Sequence, residues 1–516
     1  MRVVIPMSGL GRRFEEAGYN LPKPLIKVDG KPIIEHLLSK FPVEWPKTFI
    51  CNHEHLERTP LRRELHRLAP HATLIAIQPH KKGPVFAVLE ALRLDQSCIP
   101  VNEPCIVNYC DFSFSWDSQD FERFTQRTAC DGAVLCYRGF HPEYLRPTLY
   151  AYCREENGRI LEIKEKGHFT QDRTKEFASS GTYYFRSGAM VRTYFQRLME
   201  EGPLLNGEGY VSVVYQKLLA DQKYIAVYEV PYFLQWGTPQ DLQDYEYWAK
   251  TYHAYPFKGR LEQEAVDHED MQLLMPMAGL GSRFGIETPK PLIQVLGKPM
   301  FLSALQHLPA CNRHILVVRK GFQERILIHD QNAKVVALDQ VTEGQAITCE
   351  LAVNQLEKDK PVFVSSCDHG MVWNQARWKD QLAQCPDLIV WGQRNYPGAD
   401  RTAEAFAYIE TEKDSDRIRH VSVKEPLDRQ NPRKDLLLVG TFYFGTAKLM
   451  LDLIAELKRR NLRIKNEFYL DSVVNFAIEQ GLDVRVFEAD GYLCWGTPEA
   501  LDEFNYWHSY FTGRRW

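Results

Sequence analysis

Two glycines, an arginine and a proline-flanked lysine recur in one order in this chain. Gly9-Leu10-Gly11-Arg12-Arg13-Phe14 follows the apolar run Val3–Ile5, and Gly279-Leu280-Gly281-Ser282-Arg283-Phe284 follows Leu273–Met275. Pro22-Lys23-Pro24-Leu25 and Pro289-Lys290-Pro291-Leu292 come next in each copy. Glycines let backbone N–H groups approach an anion closely, and arginine adds two-pronged phosphate contacts. The prolines stiffen the segment that presents the lysine, which limits the entropy lost when it grips a phosphate. The chemistry this suits is phosphate handling, and its repetition makes chance a poor explanation.

The repeat extends along the whole chain. Gly9 to Gly279 is an offset of 270 and Lys23 to Lys290 one of 267, while Gly181 to Gly440 and Trp236 to Trp495 are both 259. Small loop insertions and deletions account for that drift, and Trp-Gly-Thr-Pro closes each half at Trp236–Pro239 and Trp495–Pro498. We therefore expect two domains, residues 1–255 and 271–516, joined by a charged linker over 256–270 that is poor in apolar residues. In the first half, apolar runs at Val3–Pro6, Thr48–Cys51, Leu74–Ile77 and Pro104–Tyr109 read as strands. Helical patterns at Ile33–Phe41, Leu61–Leu68 and Val85–Leu94 alternate with them. Such alternation predicts an α/β fold with a mostly parallel, doubly wound sheet. Ligands sit at the carboxyl ends of strands in such sheets, so the Gly loop and Asp111, which ends the Pro104–Tyr109 run, should converge.

Bulk composition narrows the class. The 516 residues are 44% hydrophobic and 25% charged, with a formal net charge of -4, so the basic excess usual for a nucleic-acid binder is missing. Apolar runs are strand-length, which argues against a membrane span. The first strand follows Met1 directly, leaving no room for a signal peptide, and a cytoplasmic location is expected. Twelve cysteines without a Cys-x-x-Cys pair read as reduced, mostly buried thiols.

The motifs Gly-x-Gly-x-Arg-Phe, Pro-Lys-Pro-Leu and Gly-Lys-Pro (Gly30–Pro32 and Gly297–Pro299) resemble those of the sugar-phosphate nucleotidyltransferases. The resemblance implies two tandem Rossmann-like, GT-A-type domains. It also implies transfer of a nucleoside monophosphate from a nucleoside triphosphate to a sugar phosphate or related small phosphorylated acceptor. Pyrophosphate would leave, Mg²⁺ would be the cofactor, and the product would serve surface polysaccharide synthesis. By the same resemblance Gly9, Gly11, Gln78 and Gly83 bind nucleotide, as do Gly279, Gly281 and Gly344. Arg13 and Arg283 would hold the leaving pyrophosphate, Lys23 and Lys290 the α-phosphoryl oxygens, and Asp111 and Asp368 the metal. Lys164-Glu165-Lys166 resembles the strand whose lysine contacts the acceptor's phosphate, with Lys166 as that lysine. Glu165, Gly181 and Gly440 would line the acceptor pocket, and Glu208 and Glu467, both 28 residues before their closing Trp, could serve acceptor or metal.

Departures from the family pattern set the limits. The second metal-binding Asp common in the family is replaced by Gln235 and Cys494. Pro426 stands where Lys166 stands in the first half, so the phosphate contact there is lost unless neighbouring Lys424 substitutes. His80-Lys81-Lys82 reads as a solvated basic loop, and Asp339 replaces Gln78 in the second half. Neither half has the Asp-x-Asp typical of GT-A glycosyltransferases, which counts against that alternative. The retained loop cations suggest a second activity with a different acceptor, against the alternative of a nucleotide-binding regulatory half.

Overall fold

The computed structural model describes residues 1–254, 270–285 and 288–513. Nearly all of the expected 256–270 linker therefore lies outside the described residues. The chain divides into two compact units, Met1–Glu246 and Tyr247–Trp516. The division falls inside the helix Pro239–Ala254, whose last eight residues count with the second unit.

In the first unit the expected strands form at Arg2–Met7, Lys47–Asn52, Thr73–Ile77 and Cys105–Asn108, and the expected helices at Ile33–Leu38, Leu61–Leu68 and Gly83–Leu94. They build one side of a nine-stranded sheet. Its order is Thr73–Ile77, Lys47–Asn52, Arg2–Met7, Cys105–Asn108, Phe177–Phe185, Gly132–Tyr137, Ile225–Glu229, Arg159–Lys164, Tyr152–Glu156. The first four strands are mutually parallel, as crossover helices require. Phe177–Phe185 runs against both of its central neighbours, and Arg159–Lys164 runs against Tyr152–Glu156 and Ile225–Glu229. Seven of the nine strands share one direction and these two run against them, so the expected mostly parallel sheet forms with two antiparallel strands inserted. Strict strand–helix alternation ends at Asn108; the Tyr152–Lys164 hairpin then returns the chain in the opposite direction.

Alternate residues of each strand enter opposite cores, which is the side-chain period of a β-strand. Val3, Ile5, Phe49 and Ile106 meet Ile34, Leu37, Leu61 and Leu65 on one face. Val4, Ile50 and Val107 meet Val85, Val88 and Ala91 of the Gly83–Leu94 helix on the other. Helices therefore cover both faces, and truncating one such aliphatic to Ala costs about 2–5 kcal/mol.

The second unit repeats the order: Lys334–Leu338, Arg313–Arg319, Gln272–Pro276, Val362–Ser365, Leu436–Phe444, Leu388–Gln393, Val484–Glu488. The hairpin Ala407–Thr411/Ile418–Val423 joins through Leu436–Phe444. Eight of the twelve cysteines are buried and all are free. Among the described residues no helix is long and apolar enough to cross a membrane.

Candidate active sites

Arg2–Met7 and Cys105–Asn108 are parallel neighbours, so the chain leaves both at the same edge of the sheet. The Gly loop follows the first, with Gly11 left-handed (φ 67°) at the entry to the short helix Arg12–Glu16. Asp111 follows the second. Lys23, held by Pro22 and Pro24 on a single 3₁₀ turn, reaches across to it: Nζ donates to Asp111 Oδ2 at 2.8 Å and to the Gly237 carbonyl at 3.0 Å. The second unit repeats the device. Gly281 is left-handed (φ 63°), and Lys290 donates to Asp368 Oδ2. A Cβ on Gly281 would lie 2.9 Å from that of Lys290, so glycine is needed for the lysine to fit. Burial raises the Asp368 carboxyl, but the Lys290 charge and the His369 hydrogen bond outweigh it and hold the group low.

The closing motifs sit beside these pairs because short ladders carry them there. Phe112–Ser115 pairs with Tyr232–Gln235, and the Trp236 N–H donates to the Asp111 carbonyl at 2.9 Å. His369–Val372 pairs with Gly491–Cys494, and the Trp495 N–H donates to the Asp368 carbonyl at 2.8 Å. Gln235 is occupied, accepting from the Tyr150 hydroxyl at 3.2 Å. A carboxylate not anticipated from sequence, Asp241, comes close instead. A Cβ on Gly237 would lie 3.6 Å from both Asp111 Oδ2 and Asp241 Oδ2. Asp241 is committed to the helix start, accepting from the Thr238 N–H while Thr238 Oγ1 accepts from its own N–H, a reciprocal cap.

Each loop opens on a cleft, of about 460 Å³ in the first unit and 490 Å³ in the second. Gly9, Gly11, Lys23, Gly83, Asp111 and Glu208 line the first; Gly279, Gly281, Arg283, Lys290, Gly344, Asp368 and Glu467 line the second. Arg12 lines the first cleft, whereas Arg13 is exposed on the same helix and acts by charge on Tyr210. Gln78 is exposed beyond the end of its strand, and the wall there is formed by His80 and Lys81. His80 is half-buried, bonded to Ser8 Oγ at 3.1 Å and edge-on to Phe86, and burial lowers its pKa. The basic loop is therefore a wall of the site, not only a solvated face. In the second unit Asp339 pairs at the surface with Lys320, and Val341 and Thr342 line the corresponding wall. The two clefts thus differ where a base would be read.

Gly83 and Gly344 have a second duty. Both have positive φ, and a Cβ would meet Gly209 O at 2.7 Å or Phe468 N at 2.6 Å. They let the helix start pack on Glu208-Gly209-Tyr210 and Glu467-Phe468-Tyr469. Gly181 and Gly440, also at positive φ, lie in their long strands next to register shifts of the pairing. A Cβ on Gly181 would strike the Phe112 and Tyr109 rings, so its place is beside the cleft wall.

Strand pairing fixes the counterpart of the Lys164-Glu165-Lys166 segment. Tyr152 pairs with Lys164 and with Ala178, and Tyr408 pairs with Ser422 and with Leu437, the counterpart of Ala178. Lys164 therefore corresponds to Ser422, Glu165 to Val423 and Lys166 to Lys424; Pro426 corresponds to His168. Backbone and contacts agree. Lys166 and Lys424 are both left-handed (φ 52° and 65°), and their Nζ atoms lie 4.6 and 5.1 Å from the Tyr210 and Tyr469 rings. Lys166 Nζ also donates to Tyr210 Oη, which donates to Glu208, at 2.9 and 2.8 Å. Glu165 accepts from Ser212 Oγ at 2.5 Å, and burial raises its pKa.

Residues 2–242 match the nucleotidyl transferase family model, and residues 275–395 match that of the MobA-like NTP transferase domain. No curated protein matches the chain. Among solved structures, the nucleoside-diphosphate-sugar pyrophosphorylase of Vibrio cholerae RC9 is 19% identical, with a TM-score of 0.40, over 47% of this chain and 99% of that one. A putative glucose-1-phosphate thymidylyltransferase from Bacillus anthracis is 19% identical, with a TM-score of 0.38, over 48% and 94%. The inositol-1-phosphate CTP transferase from T. maritima is 17% identical, with a TM-score of 0.35, over 46% and 96%. Likeness at this level carries no argument about substrate. The two family matches, on two units that repeat one fold and one Lys–Asp pair, make the chain a nucleotidyltransferase with two such domains in tandem.

Proposed function

We propose that each unit transfers a nucleoside monophosphate from a nucleoside triphosphate to a phosphorylated small-molecule acceptor, and that the two units use different acceptors. The observation that carries this reading is the doubled arrangement of left-handed glycine, proline-held lysine and strand-end aspartate. An acceptor phosphate oxygen attacks the α-phosphorus, a new P–O bond forms, and the bond to pyrophosphate breaks. Negative charge grows on the α-phosphoryl and leaving oxygens, so the protein's task is positioning and neutralisation. Lys23 and Lys290 hold the α-phosphoryl oxygens. Arg12, Arg13 and Arg283 neutralise the leaving pyrophosphate, and Lys166 and Lys424 orient the acceptor's phosphate.

The residues fit Mg²⁺. It takes oxygen ligands and is often held by one or two carboxylates together with substrate phosphates. Among the described residues no group of three or more His, Cys, Asp or Glu could hold a metal unaided, so Asp111 and Asp368 would each hold it with the triphosphate's help. When bound, it supplies positive charge to the phosphate oxygens.

Different bases and acceptors are supported by Ser8, His80 and Lys81 facing the first cleft where Ala278, Val341 and Thr342 face the second. The test is the full chain with Mg²⁺, four triphosphates and a panel of phosphorylated acceptors, followed by pyrophosphate release. Asp111→Ala and Asp368→Ala should each remove a different subset of the activities. Sugar transfer from a nucleotide sugar without pyrophosphate release would instead establish a glycosyltransferase.

A further inference from the structure

The corrected register exposes an exchange between the two acceptor regions. In the first unit the strand end supplies a carboxylate, Glu165, and the facing Glu-x-Tyr segment supplies a hydroxyl, Ser212, bonded to it at 2.5 Å. In the second unit the strand end supplies Val423, which is apolar, and the facing segment supplies Asp471. Ser212 and Asp471 are true counterparts. Each lies two residues after the tyrosine over which the left-handed lysine sits, and the segments dock alike, through Val85 N–H to Gly209 O and Ala346 N–H to Phe468 O. A carboxylate has left one wall and another has arrived on the opposite wall.

The new carboxylate is costly as a purely structural feature. Asp471 is only 9% exposed, and among the described residues no side chain donates a hydrogen bond to it. Lys424 is within range of its charge, but that ammonium donates to the Ala405 carbonyl. Its own backbone N–H supplies the hydrogen bond it receives, and a buried carboxylate so sparsely satisfied is destabilising. Burial accordingly pushes its pKa up to about 6, against the pull of Lys424. A carboxylate can only accept hydrogen bonds, so a partner must bring N–H or O–H.

We propose that Asp471 is the acceptor-reading carboxylate of the second site, acting from the wall opposite to that of Glu165, and that this site takes a phosphate ester bearing a hydroxyl or ammonium group near its phosphate. Lys424 takes the phosphate and Asp471 takes the donor. The inference rests on the nucleotidyl-transfer reading above and adds to it which residue of the second half reads the acceptor and which group it recognises.

The experiment uses the full chain carrying Asp111→Ala, so that pyrophosphate release reports the second site. Glucose 1-phosphate, glucosamine 1-phosphate and inositol 1-phosphate serve as acceptors, and triphosphate binding is measured separately by calorimetry. Asp471→Ser should raise the acceptor KM about tenfold or more, as expected for losing a hydrogen bond to a charged group, while triphosphate affinity stays within about twofold. Val423→Glu combined with Asp471→Ser rebuilds the first unit's arrangement and should recover most of that loss, which a merely structural aspartate would not allow. An unchanged acceptor KM in both Asp471→Ser and Asp471→Asn would overturn the proposal. So would triphosphate binding with no release from any acceptor. Failure to bind triphosphate at all would overturn the nucleotidyl-transfer reading of this unit, and the proposal with it.

Discussion

Lys23 and Lys290 each meet one aspartate across the edge of the sheet, with side chains 19% and 21% exposed. Each pair neutralises itself, and in the proposed reaction the triphosphate would compete for the lysine. We expect Lys23→Ala to lower first-site turnover about 10²–10³-fold, the range for removing one group aimed at transition-state charge. Near-normal pyrophosphate release by that variant, with second-site activity silenced through Asp368→Ala, would remove Lys23 from the chemistry. Backbone is equally specific at this scale. Gly344 has φ +119° and lies so close to Phe468 that a Cβ would be 2.6 Å from its nitrogen, whereas Gly279 has open space. Gly344→Ala should cost about 1–3 kcal/mol in denaturant unfolding, while Gly279→Ala should leave stability nearly unchanged. Equal effects of the two substitutions would contradict the packing described.

At the scale of elements, the first unit buries an acid in the 3₁₀ turn Pro142–Leu145, behind the Tyr152–Glu156 strand. Glu143 is 3% exposed and accepts from the Tyr152 hydroxyl at 2.9 Å. Burial pushes its carboxyl up from 4.5 to about 7, with Tyr152, Arg173 and Tyr137 pulling it down and Asp241 pushing it further up. The folded protein thus holds this proton between about pH 4.5 and 7, where the unfolded chain has released it. Stability from this group is complete below pH 4.5 and lost as pH rises towards 7, by on the order of 3 kcal/mol. Glu143→Gln should lose that dependence. Melting temperatures of wild type and variant at pH 5 and 7.5 check it, and parallel pH profiles would count against the buried, protonated acid.

For the whole molecule, the unit division matters more than the position of the charged linker. Tyr247 Oη donates to the Tyr492 carbonyl at 2.9 Å and accepts from the Tyr492 N–H at 2.8 Å. Trp248 stacks on Trp507 and Tyr252 on Phe511. These residues belong to the second unit, although they precede the second copy of the Gly loop. A second unit expressed from Tyr247 should therefore fold cooperatively. One expressed from Met271 should be several kcal/mol less stable, since losing a single buried large aromatic costs about 3–5 kcal/mol. Equal unfolding midpoints of the two chains would show that the helix end contributes nothing.

What the sequence determined by itself was local or periodic. Short apolar runs alternating with helical patterns marked the strands, and Gly-x-Gly followed by Pro-Lys-Pro marked the phosphate loop. The rule that parallel strands end on one side brought Asp111 and Asp368 to it. These features depend on neighbours in the chain, so a duplicated order of residue types suffices to find them. The two reversed strands, Arg159–Lys164 and Phe177–Phe185, were invisible, because no apolar run encodes the direction in which a strand is entered. Arg12 rather than Arg13 in the cleft wall, and His80 in place of Gln78, depend on which way a side chain leaves a turn. The counterpart of Lys166 was left between Pro426 and Lys424, because a Lys-Glu pair recurs two residues out of register in the second half; the pairing of Tyr408 with Ser422 assigns it to Lys424. The exchange of Glu165 for Asp471 was the least legible feature of all. Glu165 and Ser212 are 47 positions apart in the chain, and only the docking of the Glu-x-Tyr segment against the strand end makes them, or Val423 and Asp471, one site.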